Sequence, residues 1–284
     1  GGGAPAAAFG AANRAKYEKK DVSLVTAEDV SPLATALTAQ PMETVILEGA
    51  PVDCDETPTV SDAASAALGA ALQSVAGSMK RLVMMNHRFE SEEACAAVLQ
   101  ALAQCSALEE LDLTNSSLGP EGGVALGATL GACGALHTVR LEDCSLEEDG
   151  CAAVAKGLKG LPKLQEVDLR NNDMEADSVA VLAASLAGKS SLKAVKLDDD
   201  DDLAEAYAPL IEALAAMGKE EALTLGDEED DEDEDDSQED DCDSDLVDCV
   251  GPATSRPGRP TPQCHAARRV GSPGGPPTRC AAQM

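Results

Sequence analysis

The feature that most constrains this chain is a period. An apolar residue, two others, a second apolar residue, one other and a third apolar residue recur as Leu108-Leu111-Leu113, Leu136-Val139-Leu141, Leu164-Val167-Leu169 and Leu192-Val195-Leu197, with starts 28 residues apart each time. Met79-Leu82-Met84 lies 29 residues before the first of these, and Met42-Val45-Leu47 another 37 before that. A worn copy follows at the other end, in which Glu220 replaces the first leucine while Leu223 and Leu225 remain. The long interval after Met42 carries an extra segment rich in Pro, Asp and Thr, from Pro51 to Pro58.

The second half of each period is regular too. Ten residues after each start stands another apolar residue, Phe89, Leu118, Leu146 or Met174, and an alanine-rich helical pattern follows, as in Val124-Ala125-Leu126 with Leu130. The helices open near Gly, Asp or Glu, residues that favour helix starts. One strand and one helix in 28 residues cannot bury their own apolar faces, so neighbouring units must stack. The expected fold is α/β: a leucine-rich-repeat solenoid, or horseshoe, of about seven to eight repeats with a parallel concave sheet and outer helices. Composition agrees, because four Phe and Tyr and no Trp leave Ala, Leu and Val to build thin layers.

Eight residues after each start come Ser116, Cys144, Asn172 and Asp200. A side chain there is expected to satisfy backbone groups where the chain leaves the strand, each bond contributing about 1 kcal/mol. Gly122 and Gly150 are expected to permit a tight entry into the following helix.

Outside the repeats the chain changes character. Residues 1–20, Gly- and Ala-rich and then basic, are expected to be disordered; residues 21–226 form the repeat domain, opened by an apolar run at Val22–Val25 and a helix from Ala27 to Leu37. Residues 227–248 hold 16 of the chain's 52 acids and no Lys or Arg, and such a run of like charge stays unfolded. Residues 249–284, rich in Pro, Gly and Arg, are expected to be disordered as well. A net charge of -31 argues against nucleic acid and anionic membranes as partners and favours basic proteins, reached through the acidic tail.

Ten cysteines include no Cys-x-x-Cys, which points to reduced structural thiols. His87, His137 and His265 stand apart from one another and from Cys at any ligand spacing, so no metal site is expected, nor a cofactor loop. What remains is surface. Alternation turns Arg81, Val83, Met85; Glu110, Asp112, Thr114; Thr138, Arg140, Glu142; Glu166, Asp168, Arg170; and Ala194, Lys196, Asp198 to the concave side. This is either a solvated face or an extended protein-binding surface, the usual use of such a fold.

Repeats of 28 to 29 residues running straight into DEEDDEDEDDSQEDD resemble the Ran GTPase-activating proteins, over roughly residues 22–245. The repeats alone are shared with the ribonuclease-inhibitor-like proteins. The resemblance implies a protein that is not itself an enzyme: it binds the switch regions of a GTP-loaded, Ran-like small GTPase in nucleocytoplasmic transport and orders the partner's own glutamine and water. It implies a partner-orienting role for Asn115, because LDLTNSSLGPEGG matches the family's strand-Asn-Asn-x-Leu-Gly-Pro stretch, with Ser116 in place of the second Asn. Arg81, Glu110, Asp112, Thr114, Arg140, Asp168 and Arg170 would then meet the partner. The family's elongated repeat carries an Arg in its loop, whereas EGAPVDCDETPTV has none, and Asp53 and Cys54 stand nearest its position. The implied location is the cytoplasm, including its perinuclear zone, although no plant-type envelope-targeting segment is recognisable. The alternative is a non-catalytic ribonuclease-inhibitor-like scaffold that binds another protein and stimulates nothing.

Overall fold

A computed structural model describes residues 14–18, 24–48 and 59–226, and in it each period resolves into a short strand and a helix. The elements run β1 (Arg14–Glu18), β2 (Leu24–Val25), α1 (Ala27–Ala39), β3 (Thr44–Glu48), β4 (Thr59–Val60), α2 (Asp62–Val75), β5 (Arg81–Met85), β6 (Arg88–Phe89) and α3 (Glu92–Ala101). They continue as β7 (Glu110–Asp112), α4 (Gly119–Leu130), β8 (Thr138–Arg140), α5 (Glu147–Leu158), β9 (Glu166–Asp168), α6 (Ala176–Leu186), β10 (Ala194–Leu197), α7 (Ala208–Ala215) and β11 (Leu223–Leu225).

Eight strands form one parallel sheet in the order β1-β3-β5-β7-β8-β9-β10-β11. Its register follows the period: Val45, Leu82, Leu111, Val139, Val167, Val195 and Leu223 lie opposite one another from strand to strand. All but the last are buried, as is every period start from Met42 to Leu192. The apolar triplet is therefore a column code. Each position stacks on its copy in the next unit, and the helices cover the column from one side.

The helix starts follow local chemistry. Ser61 Oγ accepts from the Ala64 N–H at 3.2 Å and Ser91 Oγ from the Ala94 N–H at 3.0 Å, which caps α2 and α3. At α1, Asp29 Oδ2 accepts from the backbone N–H and the hydroxyl of Thr26, at 2.8 and 2.7 Å. Pro120 supplies the first turn of α4, where its missing N–H costs nothing.

Gly122 and Gly150 do a different job from the one expected. Neither has positive φ. Both lie inside helices, and what they provide is room: a Cβ on Gly122 would lie 2.9 Å from Cys95 Sγ, and one on Gly150 3.2 Å from the Pro120 backbone. The same holds more sharply along the α4–α5 seam. A Cβ on Gly123 would come within 2.5 Å of Gly150 Cα, one on Gly127 would overlap the Ala153 carbonyl, and one on Gly157 would reach the Gly127 carbonyl at 2.5 Å. The two helices meet backbone to backbone.

Two further points depart from expectation. β1 lies within the segment read as disordered and pairs in parallel with β3 over Arg14–Glu18, so order begins before residue 20. A second parallel sheet, β2-β4-β6, runs along the strand-exit side of the first units and is prolonged by a bridge from Arg88 to Ser117. The loop between β3 and β4, with Asp53 and Cys54, lies outside the described residues, and so do the acidic and Arg-rich segments.

Candidate partner-binding face and rim

Alternation along each strand puts the residues between the buried columns on the sheet face turned away from the helices. Parallel register then aligns them across strands: Arg81, Glu110, Thr138, Glu166 and Ala194 form one row, and Val83, Asp112, Arg140, Asp168 and Lys196 the next. All seven residues expected to meet a partner are brought to this face or its margin.

They are also brought to one another. Arg81 Nε lies 2.8 Å from Glu110 Oε2. Arg140 sits between two strands, donating to Glu166 at 2.9 and 3.1 Å and lying 3.8 Å from Asp112. Arg170 donates to Asp168 of its own unit at 2.9 and 3.0 Å and to Glu142 of the previous unit at 3.1 Å. Thr114 donates its hydroxyl and its N–H to Asp112 Oδ1. Burial works against the charge of Arg140, but the hydrogen bond and charge of Glu166, with Asp112 and Glu110 beyond, outweigh it and hold the guanidinium above its ordinary range. An exposed pair such as Arg81–Glu110 contributes at most about 1 kcal/mol. The larger effect of these pairs is to fix the orientation of the charged heads that make them.

The rim is set by the turn after each strand. Seven residues after the starts at 79, 108, 136 and 164 stand Asn86, Asn115, Asp143 and Asn171, all left-handed, with φ of 59°, 55°, 50° and 56°. Asn and Asp tolerate this conformation best among residues with a Cβ. Backbone bonds pin the turns to the next unit, Asn115 N–H to the Glu142 carbonyl at 2.9 Å and Asp143 N–H to the Arg170 carbonyl at 3.0 Å. Asn115, half-buried, is not fully free to reach outward: its Nδ2 donates to Asn86 Oδ1 at 3.2 Å. Sequence reasoning singled out Asn115 and missed Asn86, although the common offset from the period start would have linked them.

The next position performs the bonding expected of it. Ser116 Oγ donates to the Met84 carbonyl at 2.9 Å and Cys144 Sγ to the Leu113 carbonyl at 3.1 Å. Asn172 does most, donating to the carbonyls of Leu141, Leu169 and Arg170 and accepting from the Cys144 and Leu146 N–H groups. Asp200 instead caps the turn after β10 through the Asp202 N–H.

Among the described residues no group of three or more His, Cys, Asp or Glu could hold a metal ion. Burial pushes the thiols of Cys95, Cys105 and Cys151 up to about 12 and that of Cys133 to about 11, so they stay protonated and unreactive.

A family model described as Leucine Rich repeat matches residues 104–127, the unit that holds β7, the Asn115 turn and most of α4. No curated protein matches the chain. The match and the stack of parallel strands with flanking helices define the class: this is a leucine-rich-repeat solenoid, a fold that works by binding other proteins.

Proposed function

We propose that the chain binds a Ran-like small GTPase in its GTP form across the open face of β5 to β10 and the adjoining rim, and stimulates GTP hydrolysis on that partner. The chain contributes no catalytic chemistry of its own; its role is to hold the partner's groups around the attacking water, the positioning that phosphoryl transfer rewards. It acts in the cytoplasm. The observation that supports this reading is Asn115, an uncharged amide at the end of a charged, pre-oriented face, in a sequence context similar to that of the Ran activators. The acidic run after the last repeat supports it too, because it favours a basic partner.

A specific observation favours the second reading, a scaffold that binds and stimulates nothing. Asn115 shares its left-handed turn with Asn86, Asp143 and Asn171, so turn chemistry alone accounts for the residue. One experiment separates the two. Immobilised chain is offered Ran loaded with GTP or GDP, and hydrolysis is followed on the bound GTP form. Selective binding with stimulation supports activation, selective binding without it supports the scaffold, and no selectivity sinks the Ran assignment.

A further inference from the structure

His87 occupies the position filled in later units by Ser116, Cys144 and Asn172, yet it does not bond as they do. It is 4% exposed, and its Nδ1 has no hydrogen-bond partner. The ring lines a cavity of about 20 Å³ whose other walls are Val30 and Leu33 of α1, Leu47 of β3, Val60 of β4, Leu68 of α2 and Met84 of β5. Each of these elements presents an apolar side chain to the cavity, and among the described residues the polar influence on the imidazole is the Met85 backbone. A buried water ordinarily makes about three hydrogen bonds, and these walls offer only Nδ1. The one titratable group of the cavity therefore joins five elements at the N-terminal end of the stack through a contact that favours its neutral form.

We propose that His87 is a proton-operated latch: neutral, it lets α1 and α2 close over the cavity; protonated, it releases them while the later units stay folded. The local character follows from the architecture, because a stack stabilised by nearest-neighbour interfaces can open from one end. Asn86 is the adjacent residue, so release also disturbs its contact with Asn115. The sign is consistent. Burial lowers the folded imidazole to about 4, with the Met85 backbone working in the opposite direction, while the opened state titrates near the ordinary 6.5. The opened state binds the extra proton, so closure is fully stable above that ordinary value and weakens as pH falls toward the folded one.

The test is amide exchange on the whole chain, corrected for intrinsic rates, between about pH 7.5 and about pH 4.5, where linkage expects opening to rise on the order of 50- to 100-fold. The expected result is loss of protection confined to α1, β3 and α2, with α4 to α6 unchanged, and a His87→Asn variant in which that pH-dependent loss disappears. Should that variant not fold, His87→Ser, which copies the next unit, serves the same purpose. Equal loss in wild type and variant, or loss spread over all helices, overturns the proposal.

Discussion

Asn115 donates an amide N–H to Oδ1 of Asn86, the residue that holds the same left-handed turn one unit earlier. The contact ties two rim turns together and still leaves the Asn115 carbonyl oxygen and a second N–H to offer. Structural and partner-directed roles therefore rest on one side chain, and a single alanine substitution would confound them. Alanine at positive φ carries strain of roughly 1–2 kcal/mol, which glycine avoids. Under the proposed function, Asn115→Gly, which loses the Asn86 contact but adds no backbone strain, should lower the melting temperature only slightly, keep Ran binding close to wild type and lower stimulated GTP hydrolysis about ten-fold or more, on the order of 1.4 kcal/mol. Hydrolysis unchanged in Asn115→Gly would leave the residue as turn chemistry only.

The acidic segment invites a kinetic measurement. Deleting residues 227–248 should slow association with a basic partner at low salt, and the difference should shrink above roughly 0.5 M, where screening lengths fall to a few ångström. Stopped-flow association at several ionic strengths reads this directly. Identical low-salt rates would assign the segment to solubility alone.

Leu141 is fully buried in the column between Leu113 and Leu169. Leu141→Asp places an unpaired charge between layers and should cost more than about 4 kcal/mol. Because each unit leans on its neighbours, urea denaturation should show several units lost together, with exchange rising in both α4 and α5. A local loss restricted to one helix would contradict the column picture.

Gly123→Ala tests the helix seam. The added methyl meets the Gly150 backbone, which cannot turn aside, and overpacking of this kind costs about 1–3 kcal/mol. Gly134→Ala is the control: nothing lies within 4 Å of its Cβ and its φ is not positive. It should be neutral or gain up to about 1 kcal/mol through the unfolded chain. Equal effects at the two sites would rule out close helix approach as the reason for Gly123.

Much of this was legible in the sequence because burial writes its own spacing. Met42, Met79, Leu108, Leu136, Leu164 and Leu192 announce the columns, and fixing the columns fixes which strands are neighbours and which residues share a face. Ser116 and Asn172 were legible by chemistry, since only a hydrogen-bonding side chain suits that position. His87 went unread there because an imidazole among apolar walls leaves no pattern of its own. Glycine misled for a physical reason: freedom at positive φ and lack of a Cβ are two uses of one residue, and Gly122 and Gly150 serve the second. β1 was missed because Arg14, Ala15 and Lys16 show none of the leucines that mark later strands. The pairing of Arg170 with Asp168 of its own unit as well as with Glu142 depends on side-chain conformation, which spacing does not encode.

The glycine seam has a geometric consequence. Parallel strands stand about 4.8 Å apart, whereas packed helices ordinarily stand about 8–10 Å apart, so each unit forces a wedge into the stack. Where α4 and α5 touch backbone to backbone, that wedge is thin. A thin wedge is expected to splay the strands beneath, β7 and β8, less than an ordinary helix pair would, and Glu110, Asp112 and Arg140 stand on that step of the face. A methyl group added on the outer wall would thicken the wedge and tilt these charges, altering the inner surface's fit to a partner from the far side of the sheet.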